Sequence, residues 1–318
     1  MLDILAITSP IYLAILLGFI CTRMGVFAKA DMRVLGTFVV KLALPALVFN
    51  ALAQRQIGDI LNASYMLAYL GASLVVIGLG YAWGRCVARQ GPVTSAFYAM
   101  GMMSSNSSFI GYPILLLTLP AVAGVALALN LIVENVIMIP LLLALAERGR
   151  GQGGAWYRQV GQSLARLAAN PIIIAVAAGL VVSLLQLKLP APIERTVSLF
   201  AMASSALSLF FIGGALVGLP IGGLVRRALP ITFGKLIVHP LLVLAAVLAL
   251  PVLGLPALDP SLRMAAVLMA AMPMMSIYPI LAQTYGQEDF AATALLLTTV
   301  ASFFTLSGTL WLLQHVPI

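Results

Sequence analysis

The chain has 318 residues, of which 62% are hydrophobic and only 8% charged, with a formal net charge of +8. Ordinary soluble domains carry roughly 25% charged residues, so this composition excludes a soluble globule and a disordered chain. The basic residues sit in short runs between apolar stretches, where membrane topology accounts for them and nucleic acid is not needed.

Apolar stretches of about twenty residues are long enough to cross a bilayer. They fall near 4–22, 34–53, 62–84, 94–117, 121–146, 168–187, 193–217, 228–253, 263–283 and 290–313, which predicts ten spans. The first is not read as a secretory signal, because no basic segment precedes it and no small-residue cleavage site ends it. The second carries Lys41 and Pro45, and the fourth and fifth follow each other closely. Cys21 and Cys86 are too few for a disulfide framework and lack metal-ligand spacing. They are read as reduced and structural.

The connections set the orientation. With the N-terminus outside, the inner loops hold Arg23, Lys29, Arg33, Arg85, Arg89, Arg148, Arg150, Arg158, Arg166, Arg226 and Arg227. The outer loops hold only Arg55, Lys188, Arg195 and Arg263. Basic residues favour the cytoplasmic side, so both termini are expected outside.

The longest connection, 147–163, is Gly-rich and basic and divides the chain into 1–146 and 164–318. Two internal matches support a repeat across it. Ser9-Pro10-Ile11, Ala14 and Gly18 align with Asn170-Pro171-Ile172, Ala175 and Gly179, while Tyr112-Pro113-Ile114-Leu115 aligns with Tyr278-Pro279-Ile280-Leu281. Five spans per copy forces the copies into opposite orientations. The expected fold is an all-α integral membrane protein of ten helices in two inverted five-helix repeats.

The second match lies in spans four and nine, between Met102 and Leu115 and between Leu268 and Leu281. Proline inside a helix removes one backbone bond and clashes with the carbonyl four residues back. Lipid offers that carbonyl no partner, so such a break survives only inside protein or beside a wet cavity. Paired interrupted spans in two halves are a sequence pointer to a carrier's binding site. Each break makes a half-helix N-terminus whose free N–H groups and partial positive charge suit a carboxylate. Asn106, Ser107, Ser108, Tyr112, Pro113, Pro273, Ser276, Tyr278 and Pro279 are the candidate substrate residues. The competing reading is that small residues allow close helix approach and the prolines merely kink.

The motifs Lys41-Leu-Ala-Leu-Pro45-Ala-Leu-Val-Phe49, Lys235-Leu-Ile-Val-His239-Pro240 and Ala271-Met272-Pro273, with the segment from Asn106 to Pro113, resemble the auxin efflux carrier family. That family includes plant PIN-type carriers and bacterial malonate and malate permeases. The resemblance covers essentially the whole chain. It implies a BASS-, NhaA- and PIN-like arrangement with scaffold and transport domains, in which broken helices four and nine cross at the substrate. It also implies an anionic carboxylate substrate, an elevator-type mechanism and a homodimer formed through the scaffold. Ser208 stands where a second Leu-Pro break matching Pro45 is expected, so the two scaffold helices are not expected to be equivalent.

Among charged groups, Glu134 sits in mid-span beside Asn135, where an acidic residue costs about 2.5–3.5 kcal/mol or more. It is either a proton or cation relay or a member of a structural pair. Lys41 either attracts an anion, pairs with Glu134 or snorkels to the interface. Lys235 is expected to snorkel, His239 to be a packing residue, and the methionines of 269–275 to fill gaps. There is no Gly-rich phosphate loop, paired His face or Gly-x-Ser-x-Gly elbow, and no cofactor is expected. The sequence points to a secondary carrier of a small organic anion in the cell membrane, coupled to protons or to the membrane potential. Sodium coupling on the same fold is the alternative, and a membrane sensor or scaffold is the reading from another class.

Overall fold

The structure is a computed structural model and describes residues 2–54, 62–150, 169–219 and 223–315. Among the described residues every regular element is helical. In chain order these are α1 (Leu2–Arg23), α2 (Lys29–Ala53), α3 (Ala63–Val87) and α4 (Pro92–Met103). A wide turn, Ser107–Gly111, then leads into α5 (Tyr112–Thr118), followed by α6 (Ala123–Gly149), α7 (Pro171–Leu184) and α8 (Ala191–Ala215). The chain ends with α9 (Val225–Ala249), α10 (Pro260–Ala271), α11 (Tyr278–Gln283) and α12 (Glu288–His315). Most of the 147–163 connection lies outside the described residues.

Six of these helices, α2, α3, α6, α8, α9 and α12, are long and apolar enough to cross a membrane. The stretches near 94–117 and 263–283 are interrupted instead, with 104–106 and 272–277 outside any helix. The stretch near 168–187 is the shorter helix α7, of 14 residues.

Proline shapes the long helices in a regular way. Four segments widen into π turns: Val39–Ala43, Ser107–Gly111, Ile132–Met138 and Gly234–Val238. Each ends two residues before a proline, respectively Pro45, Pro113, Pro140 and Pro240. The carbonyl that each proline ring would strike, four residues back, lies inside the widened segment. Widening lets the chain pass these prolines, whereas Pro10 of α1 and Pro230 of α9 sit within regular α-helix. A fifth such turn, Trp83–Val87, has no proline after it, and the sequence offers no such cause. Lys41, Glu134 and Lys235 all lie in proline-linked π turns.

The chain forms two compact units. The first comprises Met1–Asn62, Ser107–Leu131 and Leu167–Gly218. Here α1 packs on α8, and α7 packs on α2. Small residues let these backbones touch, as is common between helices in lipid. A Cβ at Gly18 would overlap the Phe210 carbonyl, and one at Gly213 the Ile15 carbonyl. On the other pair, a Cβ at Gly179 would come within 2.9 Å of the Leu52 side chain. Helix α8 is regular through buried Ser208, whereas α2 widens ahead of Pro45. Exposed Leu13, Leu16, Leu17 and Ile20 give α1 an apolar outer face suited to lipid.

The second unit comprises Ala63–Asn106, Ile132–Arg166 and Leu219–Ile318. Within it α3 packs against α4 and α9, and α4 also packs against the C-terminal part of α6. Helix α10 packs against α9 and α12, and α11 against α12. Gly80 of α3 abuts the Ala99 backbone of α4. This unit holds most of the buried polar side chains described below.

Gly213→Ala should lower the thermal unfolding temperature of the purified protein, because the methyl group must push α1 from α8 at a cost of about 1–3 kcal/mol. Gly71→Ala, where a Cβ meets open space, should leave it unchanged or slightly raised. Equal melting of Gly213→Ala and the parent would contradict the close backbone contact.

Candidate functional site

Helix α4 begins at Pro92 and runs to Met103, where the chain turns extended at Ser104 (φ −66°, ψ 130°). Helix α10 begins at Pro260 and leaves in the same way at Met272 (φ −61°, ψ 150°). Each exit strands carbonyls of a last helical turn in the protein interior. The two breaks supply each other with partners. The Asn106 backbone N–H donates to the Pro273 carbonyl at 2.8 Å. Its side-chain amide donates to Ser276 Oγ, also at 2.8 Å. Asn106 is buried, while Ser276 is half-buried, so the joint has an accessible edge.

Two further carbonyls are met by Lys235. Its ammonium lies 2.8 Å from the Ala270 carbonyl and 3.4 Å from that of Met103, near the C-terminal ends of α10 and α4. It also donates to Ser105 Oγ at 2.6 Å and lies 2.9 Å from His239 Nδ1. A cation is favourable where two helices present their partially negative ends. His239 Nε2 lies 3.2 Å from Ser73 Oγ. Taking Nε2 as the protonated ring nitrogen leaves Nδ1 free to accept from the ammonium.

From Ser105 the bonds run on to an acid. Tyr69 donates to Glu134 Oε1 at 2.9 Å, and its oxygen lies 3.2 Å from Ser105 Oγ. A phenol has one proton. With that proton given to Glu134, Ser105 donates to Tyr69 and accepts from Lys235. Every donor in the chain Lys235–Ser105–Tyr69–Glu134 then points from the cation towards the carboxylate. Each of these side chains is buried, as are Tyr65, whose ring stacks on Tyr69 at 6.2 Å, and His239.

The other expected site residues are placed as follows. Tyr278 is fully buried and its hydroxyl donates to the Phe97 carbonyl at 2.8 Å, tying α11 to α4. Pro273 is buried, Pro279 and Asn135 are half-buried, and Ser108 is half-buried in the wide turn. In the first unit, Ser107 accepts from Asn130 Nδ2 at 3.4 Å, Tyr112 and Pro113 are buried, and Lys41 is exposed.

One expectation is corrected: Lys235 does not snorkel, whereas His239 is buried and its ring nitrogens are satisfied, as expected of a packing residue. Lys235 is fully buried, with its side chain turned into the protein interior. Its burial is stable because the stranded carbonyls, Ser105 and His239 complete its coordination. Sequence reasoning also missed Tyr69, Ser73 and Ser105. The available signal was a lysine four or five residues ahead of a proline, in Lys41-Leu-Ala-Leu-Pro45 and Lys235-Leu-Ile-Val-His-Pro240. It marks a lysine in a widened turn but does not say which way it faces.

Comparison with known proteins adds an independent finding. A family model described as "Membrane transport protein" matches residues 4–312. A protein of Rhizobium meliloti (strain 1021) named "Putative malonate transporter" is 29% identical over 321 residues, covering 99% of this chain and 97% of that protein. A protein of Escherichia coli (strain K12) named "Uncharacterized transporter YfdV" is 25% identical over 208 residues, covering 64% of this chain and 66% of that protein.

Proposed function

From the chain's membership of the membrane transport protein family, the auxin efflux carrier family, which makes it a membrane transporter, we propose that it is a secondary carrier of a small organic anion, with a dicarboxylate such as malonate as the first substrate to test. The observation that carries this reading is the joint between the two interrupted helices, where Asn106 bonds both the Pro273 carbonyl and Ser276. A primary amide offers donors that can hold a carboxylate. Ser276 at the accessible edge adds a further donor. The similarity to a protein named for malonate supports the substrate class.

The proposal includes ten helices in two inverted repeats, 1–146 and 164–318. Its support is that packing pairs recur across the halves: α1 on α8 mirrors α7 on α2, and α3 on α4 mirrors α9 on α10. Alternating access of the elevator type, in which the unit carrying Asn106, Glu134 and Lys235 moves its bound anion, is supported by the division of the chain into two compact units. A homodimer rests on the family resemblance alone. With the basic loops inside, cysteines placed at Gly91 and at Ala257, after removal of Cys21 and Cys86, should label from the cytoplasmic and the outer side respectively. Labelling of Gly91→Cys from the outside in intact cells would reverse the proposed topology.

Transport is tested by exchange and uptake of labelled malonate in proteoliposomes, with and without imposed proton, sodium and electrical gradients. Asn106→Ala should weaken malonate binding about ten- to hundred-fold, the loss expected when a buried polar partner is removed. Ser276→Ala should weaken it less, and Gln152→Ala not at all. Normal binding and transport by folded Asn106→Ala would make the joint a structural kink.

Glu134, at the far end of the Lys235 chain, is the proposed coupling acid. Glu134→Gln should abolish accumulation driven by a proton gradient while leaving downhill exchange partly intact. Gradient-driven accumulation at the parent rate by the folded variant would assign Glu134 to structure instead.

A further inference from the structure

Resting on the carrier reading above, we propose that the Lys235 ammonium is a covalently tethered cation occupying a cation-binding position between the two helix breaks, so that the carrier needs no sodium there.

The surroundings of Lys235 Nζ have the chemistry of an alkali-cation site. Backbone carbonyls freed at interrupted helices, together with hydroxyl oxygens, are the ligands that bind sodium in membrane carriers. Ala270 O at 2.8 Å, Met103 O at 3.4 Å and Ser105 Oγ at 2.6 Å supply that type of ligand around one point. Two of the three come from different interrupted helices, so a cation there draws α4 and α10 together. His239 Nδ1 at 2.9 Å completes the set. The three near acceptors, Ser105 Oγ, Ala270 O and His239 Nδ1, match the three N–H donors of a protonated lysine.

Charge balance points the same way. The charged and titratable groups around the ammonium are Glu134, reached through Ser105 and Tyr69, and His239 one turn along α9. With His239 neutral, Lys235 and Glu134 form one positive and one negative charge held apart by two hydroxyls. The position between the breaks therefore already carries a single positive charge. A sodium ion would duplicate it at the same oxygens.

The experiment uses purified full-length protein, radioactive sodium as the binding probe and labelled malonate exchange as the transport probe. The parent protein is expected to bind no sodium at this position and to exchange malonate equally in sodium and N-methylglucamine media. Lys235→Ala is expected to lose exchange roughly ten- to hundred-fold in N-methylglucamine, as one buried set of partners is left unmet. It should recover on addition of sodium, ammonium or methylammonium, and should itself bind sodium. Lys235→Arg should remain independent of added cations. The proposal is overturned if the parent protein binds sodium stoichiometrically or requires it for exchange. It is equally overturned if folded Lys235→Ala exchanges normally without added cations, or if no small cation restores it. Should Lys235→Ala not be recovered folded, sodium binding to the parent decides alone. Absence of malonate exchange by the parent in every medium would count against the carrier reading for that substrate, while the sodium-binding arms would still decide the role of Lys235.

Discussion

A backbone carbonyl released from a helix inside a bilayer has no water to turn to, and leaving it unpaired is costly. This constraint organises the second unit of the chain. Helices α4 and α10 both stop partway, at Met103 and Ala271, and both expose carbonyls to the interior. Lys235 takes the Ala270 and Met103 carbonyls, and the Asn106 N–H takes that of Pro273. Once those partners are in place the breaks persist, and their polar edges become available for chemistry. A lysine buried without such acceptors would be strongly unfavourable. Here the cation and the broken helices make each other possible.

Proline sets the same pattern along the continuous helices. The wide turns ahead of Pro45, Pro140 and Pro240 let each helix pass its proline, and they rotate the residues that follow relative to those before. Glu134 and Lys235 both lie in such turns, and both turn inward to partners supplied by α3 or by the segment after α4. The interruptions in α4 and α10 and the widened turns in α6 and α9 are thus two responses to one requirement. Helix geometry is relaxed where Glu134 and Lys235 are gathered, and regular in α8 through Ser208.

Much of this was legible in the sequence. Pro113 and Pro279, in matching contexts, located both interruptions, and apolar length located the long helices to within a few residues. Asn106 was legible as well, as a lone amide beside a break in an apolar stretch. Lys235 was misread because position along a helix does not tell which way a side chain faces: Lys41 lies still further from the start of its helix and is exposed, whereas Lys235 is buried. Tyr69, Ser73 and Ser105 were not legible, since a tyrosine or serine in an apolar helix gives no sign of its partner. His239 became meaningful only when Lys235, one turn earlier on α9, was seen to face the same interior.

The central claim is that the joint between the two interrupted helices, closed by Asn106, Ser276 and Lys235, is where the transported anion is held. An experimentally determined structure with malonate bound tests it most directly. The account predicts a carboxylate within hydrogen-bonding distance of the Asn106 amide and the Ser276 hydroxyl, with the Lys235 coordination intact behind them. Malonate bound elsewhere, with the bond between Asn106 and Ser276 unchanged from the ligand-free protein, would contradict it.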